Sequence, residues 1–208
     1  MMRRTFHLLV CAGLAVFPTA ARAAGGIGPA DVWTLPEAAW TDCLKGHADA
    51  TGCLGALMRQ GGASAEALEI NKRLDGEGYM AAFRETGRVD VAGMVFPLRA
   101  NSNEVAYLVN GEPELVSSEI DEDALQLAAN PQYAALAKAH PDVMFWPVGD
   151  GPRAVEALDG GGQGFVFSYA LLNGCHACEV LGHAVVSLDF GPDGRYRGPR
   201  LAAVEPAP

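Results

Sequence analysis

Positive charge is in short supply in this chain: 15 Lys and Arg stand against 25 Asp and Glu, for a formal net charge of −10. A surface of that sign repels nucleic acid and anionic lipid and steers basic partners toward it. Long apolar runs are scarce as well. Beyond residue 23 nothing approaches the ~20 consecutive apolar residues that a transmembrane helix needs, so no membrane span is expected. The serine of a nucleophile elbow, the paired histidines of a zincin and the serine patterns of β-lactamases are missing. The link Asp159-Gly-Gly-Gly-Gln-Gly164 lacks the G-x-G-x-x-G spacing and leads into a strand, which argues against a nucleotide site. No repeat of about 20–50 residues is visible. No pattern asks for a cofactor, and the reading turns from catalysis toward binding.

What is present begins with the three parts of a secretory leader over residues 1–23. Arg3 and Arg4 precede an apolar run from Phe6 to Phe17, and Ala21-Arg22-Ala23 forms a small-x-small cleavage site. A periplasmic or secreted product starting near Ala24 is expected. Cleavage would remove Arg3, Arg4 and Arg22 and no acid, taking the formal charge from −10 to −13. Cys11 would leave with the leader. Val10 stands where a lipoprotein signal needs a small residue, so a lipid anchor is not expected.

Four of the 5 cysteines would remain: Cys43, Cys53, Cys175 and Cys178. An even number in an oxidising compartment favours disulfides, with three connectivities formally open. Pairing by sequence proximity, Cys43 with Cys53 and Cys175 with Cys178, is the simplest. Each bridge would close a short loop and fix local shape more than it stabilises the whole.

Residues 35–76 have helical character. Pro36 suits the first position of a helix running to Leu44, Cys53, Leu54, Leu57 and Met58 make a second apolar patch, and Ser64 is placed to cap a third helix carrying Ala67, Leu68 and Leu74. Gly76 follows its end. From Tyr79 to Val116 the period becomes two, as in an antiparallel meander. Val105, Tyr107 and Val109 point one way and Ala106 and Leu108 the other, while Asn110-Gly111 predicts a two-residue hairpin. Pro113 places the returning strand at an edge. Asn130-Pro131 then opens a helix that carries Tyr133, Leu136, Ala137 and His140 on one face and ends at Pro141.

Strands follow at 143–148, 165–172, 183–190 and 195–204, with Gly191-Pro-Asp-Gly194 as a turn. Val186, Leu188 and Phe190 mark a half-buried strand, and residues 205–208 read as a frayed tail. The fold class is α+β, an N-terminal helical segment with a mostly antiparallel sheet packed with a helix. Residues 24–120 (helical segment and β-meander) and 121–208 (helix and strands with a cysteine loop) are either two small domains or one.

The segment Cys175-His176-Ala177-Cys178, between two strand-like runs, carries the functional interest. Thioredoxin-like chemistry needs its cysteine pair at the start of a long helix, and here Gly182 and a β-pattern follow. Metal binding is a second alternative, with Cys175, His176, Cys178 and His183 as donors, or Cys43, His47 and Cys53. Adjacent Cys175 and His176 suit a tetrahedral ion poorly, and a disulfide removes the thiolates. Haem attachment would need histidine where Glu179 stands. A third reading is a stiffened surface turn with His176 solvated. His47, His140 and His183 read as helix-end or strand-end residues.

The stretch from Pro131 to Leu201 resembles the periplasmic lysozyme inhibitors of the Ivy type. It has a helix ending in a histidine, then His140-Pro-Asp-Val-Met-Phe-Trp146-Pro-Val, a Gly- and Pro-containing link, a cysteine-bracketed histidine between strands, and a strand ending Leu188-Asp-Phe190. In that family a disulfide-closed loop carries a histidine into the lysozyme cleft, and His176 is the matching position. The family loop has four residues between its cysteines, including a lysine and a proline, where this one has two. The resemblance implies that His176 is a non-enzymatic binding residue; with the exposed-looking Asn173-Gly174 approach and Ala177 it makes the candidate binding site, and the acidic charge agrees with a basic protein such as a lysozyme as partner.

Overall fold

The computed structural model describes residues 26–46 and 49–207. The expected leader with Cys11, His47 and Pro208 lie outside the described residues. Three helices come first: α1 (Glu37–Gly46), α2 (Ala50–Gln60) and α3 (Ala65–Arg73). Asp49 caps α2 by accepting from the Gly52 amide, and Ser64 caps α3 by accepting from Ala67 at 2.9 Å. The Ser64 hydroxyl in turn donates to Asp31 at 2.7 Å, which ties the helix start to the segment ahead of α1. Past α3, Gly76 takes φ +77°, a left-handed conformation that glycine adopts without a side-chain clash. The Cys43–Cys53 disulfide joins α1 to α2 as expected. Cys53, Leu54, Leu57 and Met58 are buried, and the last three pack with Trp33, Ala67 and Tyr79.

The meander is present as a four-stranded antiparallel sheet of β1 (Tyr79–Arg84), β2 (Asp90–Val95), β3 (Glu104–Val109) and β4 (Leu115–Ser117), in that order. Its alternation sorts side chains onto two covered faces. Val105 and Val109 join Ile70, Leu74 and Met94 on the helical side. Ala106 and Leu108 face the other way, into a core shared with Phe165, Val186 and Leu188. The sheet is therefore the middle of three layers. The two-residue hairpin at Asn110-Gly111 is not formed: Val109 pairs with Leu115, leaving residues 110–114 as the loop. Asn110 supplies the positive φ of +68° that suited it to a tight turn. The chain after it is drawn off to another partner, because the Glu112 amide donates to Gly194 and its carbonyl accepts from Tyr196, both at 2.8 Å. Pro113 thus sits in the loop ahead of β4, and β4 is the edge strand.

The second sheet holds α4 (Pro131–Ala139) against its core through Tyr133 and Leu136. Asn130 caps that helix by accepting from Gln132 and Tyr133. Its strands are β5 (Val143–Val148), β6 (Ala154–Ala157), β7 (Gln163–Asn173), β8 (Val180–Phe190) and β9 (Tyr196–Pro206), all antiparallel in the order β5-β7-β8-β9, with β6 beside β7 after β5 ends. Three details differ from the sequence reading. β6 is an added strand. The strand around Val186, Leu188 and Phe190 is buried on both faces, since Val185 and Ser187 are 2% and 1% exposed, and Ser187 lies opposite the buried Val166 of β7. The tail is paired through Glu205 and Pro206, and the Ala207 amide donates to Leu181, so residues 205–207 are not frayed.

The two sheets bury one core drawn from both sides of residue 120. Val89, Val91, Ala106, Leu108 and Val116 meet Phe165, Phe167, Tyr169, Leu171 and Phe190. A fully buried Val, Leu or Phe among them stabilises by ~1.5–3 kcal/mol. Gln163 adds a polar tie at one end: its Oε1 accepts from Arg88 and Val89, and its Nε2 donates to Thr86 and Val89.

Candidate functional site

β7 and β8 are each eleven residues long and run as a hairpin whose tip is the cysteine loop. Their buried faces anchor the stem in the core, so the loop is carried by a stiff support. At the stem's end the Asn173 amide donates to Glu179 at 2.9 Å. Gly174 follows with φ +78°, a turn that strains any residue with a Cβ. The Cys178 amide then donates to the Cys175 carbonyl at 3.0 Å, and the disulfide closes the turn with 5.1 Å between the Cα atoms. Residues 174–180 are all exposed.

Asn173, Gly174, His176 and Ala177 are thus brought together in one projecting turn. Cys43 and Cys53 belong to the helical layer and have no part in it. His176 is not simply solvated: its ring lies 4.3 Å from that of Trp146, at 61°. Trp146 stands on β5, opposite Ala170 of β7, which in turn faces His183 of β8 and, one strand on, Glu205 of β9. A cross-strand row therefore runs Trp146, Ala170, His183, Glu205 on the outer face, with the small Ala170 between the two rings. Sequence reasoning did not single out Trp146 as a site residue. Only the antiparallel pairing of β5 with β7, which sets Val143 against Asn173, brings it beside the loop.

The chemistry open to this turn follows from its bonds. Both sulfurs are spent in the disulfide, and the cysteines sit between two strands rather than at a helix start that would lower a thiol's pKa. Among the described residues no group of three His, Cys, Asp or Glu side chains is placed to hold a metal ion. The loop offers an imidazole, free backbone groups and an aromatic support, all fixed in place. A hollow of about 590 Å³ between α2 and α3, lined by Gly52, Gly55, Arg59 and Lys72, lies on the helical layer and does not touch the loop. Comparison with protein-family models, with curated proteins and with solved structures finds no match to this chain.

Proposed function

We propose that this is an exported, non-enzymatic binding protein whose disulfide-closed histidine loop enters a cleft on a basic partner, with a lysozyme-type muramidase as the partner that fits best. The observation that carries the reading is the loop itself: an exposed, covalently closed turn on a buried hairpin, with His176 resting on Trp146. A turn already fixed in shape loses little conformational freedom when it docks. Glycosidase clefts hold two carboxylates, to which an imidazole can hydrogen-bond. The net charge of −10 complements a basic target. Two disulfides suit an oxidising compartment, in keeping with the leader read at residues 1–23.

The test is titration of the protein against c-type, g-type and i-type lysozymes. Saturable binding is expected to at least one, and His176→Ala should weaken it by about 1–3 kcal/mol, the range of an interface hot spot. No saturable binding to any of the three would overturn the reading.

A further inference from the structure

The hollow of about 590 Å³ between α2 and α3 has the size usual for a small-molecule site. Asn71, in the last turn of α3, lines it and is only 7% exposed. Its Nδ2 donates to the Gly78 carbonyl at 2.8 Å, and because a carbonyl only accepts, that bond fixes which end of the amide is left over. The remaining Oδ1 has no hydrogen-bond partner among the described residues. It is not sealed in protein, as the Oδ1 of Asn110 is, but opens on the hollow.

Across from it, Gly55 is a buried glycine inside α2, at a place where alanine would normally favour the helix. A Cβ there would stand 3.6 Å from the Asn71 Oδ1 and 3.5 and 4.0 Å from the two terminal nitrogens of Arg59, with nothing nearer. The missing methyl group thus leaves open a point from which an acceptor and a guanidinium are both within reach. Arg59 forms no ion pair among the described residues, whereas Lys72 on the same wall is engaged by Glu69 at 3.5 Å. The hollow therefore combines one unengaged cation with one unengaged buried acceptor.

We infer that the hollow binds an α-amino acid, free or as the C-terminal residue of a short peptide, with its carboxylate on the Arg59 guanidinium and its N–H donating to the Asn71 Oδ1. A guanidinium matches a carboxylate through two parallel hydrogen bonds. Both protein groups surround the same point, so the ligand's anion and donor must be close neighbours, as they are on either side of an α-carbon. A simple anion would leave the Asn71 acceptor unmatched. The acids that also line the hollow, Asp49, Glu69 and Asp75, disfavour a multiply charged anion such as a phosphate ester. The site is on the helical layer, away from the cysteine loop, and stands independently of the lysozyme reading.

Isotope-labelled protein is titrated with alanine, N-acetylalanine, alaninamide and acetate while the Asn71 side-chain amide and the Gly55 backbone amide are followed by NMR. Saturable shifts at both are expected with alanine or N-acetylalanine, weaker ones with acetate and none with alaninamide, which lacks the carboxylate. Binding of alanine alone identifies the free amino acid, and equal binding of N-acetylalanine identifies a peptide C-terminus. Arg59→Gln should weaken binding about tenfold, the loss expected for charge-assisted hydrogen bonds. Lys138→Gln, which removes a cation from α4, should change it little. Gly55→Ala should raise Tm, since alanine is the better helix former, and yet abolish binding by filling the shared point. His176→Ala should leave these titrations unchanged, which keeps this test apart from that of the loop. No saturable shift with alanine or N-acetylalanine would overturn the inference. So would acetate binding as tightly as either, equal losses in Arg59→Gln and Lys138→Gln, or a folded Gly55→Ala protein that binds like the wild type.

Discussion

The Tyr169 hydroxyl donates a 2.6 Å hydrogen bond to the Ser118 carbonyl, a buried contact that links the central strand of the loop-bearing sheet to the chain just beyond the edge of the other sheet. Phe145 stacks on the same tyrosine ring at 4.4 Å, so one side chain joins the two sheets and the strand that carries Trp146.

Tyr169→Phe should therefore cost about 1–2 kcal/mol at neutral pH, the value of a buried hydrogen bond. Burial holds the Tyr169 hydroxyl well above its ordinary pKa, with neighbouring Tyr196 adding to the effect, and Tyr196 is itself pushed up to about 12 by burial and by Asp189. Unfolded tyrosines ionise near about 10. Between those values the unfolded chain has lost protons that the folded one keeps, so stability complete below pH ~10 declines as pH rises toward and past 12. Tyr169→Phe should flatten that decline. Urea titrations from neutral to strongly alkaline pH measure both effects, and parallel slopes in the two proteins would contradict the second.

Replacing Cys43 and Cys53 together with serine should lower stability by about 2–3 kcal/mol, because their bridge restrains a loop of 10 residues in the unfolded chain. The Cys175–Cys178 bridge spans only 3. Its double serine variant should lose less stability by the same chain-entropy reasoning, yet lose more partner binding, since it frees the turn that presents His176. Denaturation curves and binding titrations of the two variants should rank them in opposite orders.

The exposed Cys175–Cys178 pair invites a redox interpretation, and its setting predicts the contrary. With no helix start to stabilise a thiolate, the protein should neither reduce insulin nor oxidise a reduced test protein above background. Turnover that disappears in Cys175→Ser would reverse this expectation.

Trp146→Ala should leave the fold intact, because the side chain lies on the outer face, while removing the ring under His176. The proton signals of the His176 ring should then move toward those of a free histidine, and binding of the partner should fall with them. An unchanged His176 spectrum would show that the edge contact between the rings does not hold in solution.

Local chemistry made much of the architecture legible. Ser64 and Asn130-Pro131 cap the helices they were expected to cap, the alternation through Val105 to Val109 separates the two faces of its sheet, and the cysteines pair with their sequence neighbours. What stayed hidden depends on partners distant in the chain. Asn110-Gly111 has the composition of a tight turn, but Glu112 is captured by Gly194 and Tyr196. Gln163 reads as part of a glycine-rich link, and in the fold it bonds to the turn ahead of β2. Of the site, the loop and its histidine were visible because the cysteines bracket them. Trp146 was not, since strand order leaves no mark in local periodicity.

The four hydrogen bonds of Gln163 have a mechanical consequence for the opposite end of the molecule. They pin the foot of β7 to the neighbouring sheet, Tyr169 pins its middle, and the loop stands at its head, so the hairpin behaves as a cantilever clamped twice below its free end. Such a beam cannot slide or pivot to search for a fit. Under the proposed function, a partner would have to accept the tip in the attitude the scaffold dictates, and improvements in fit should lengthen the lifetime of the complex more than they speed its formation.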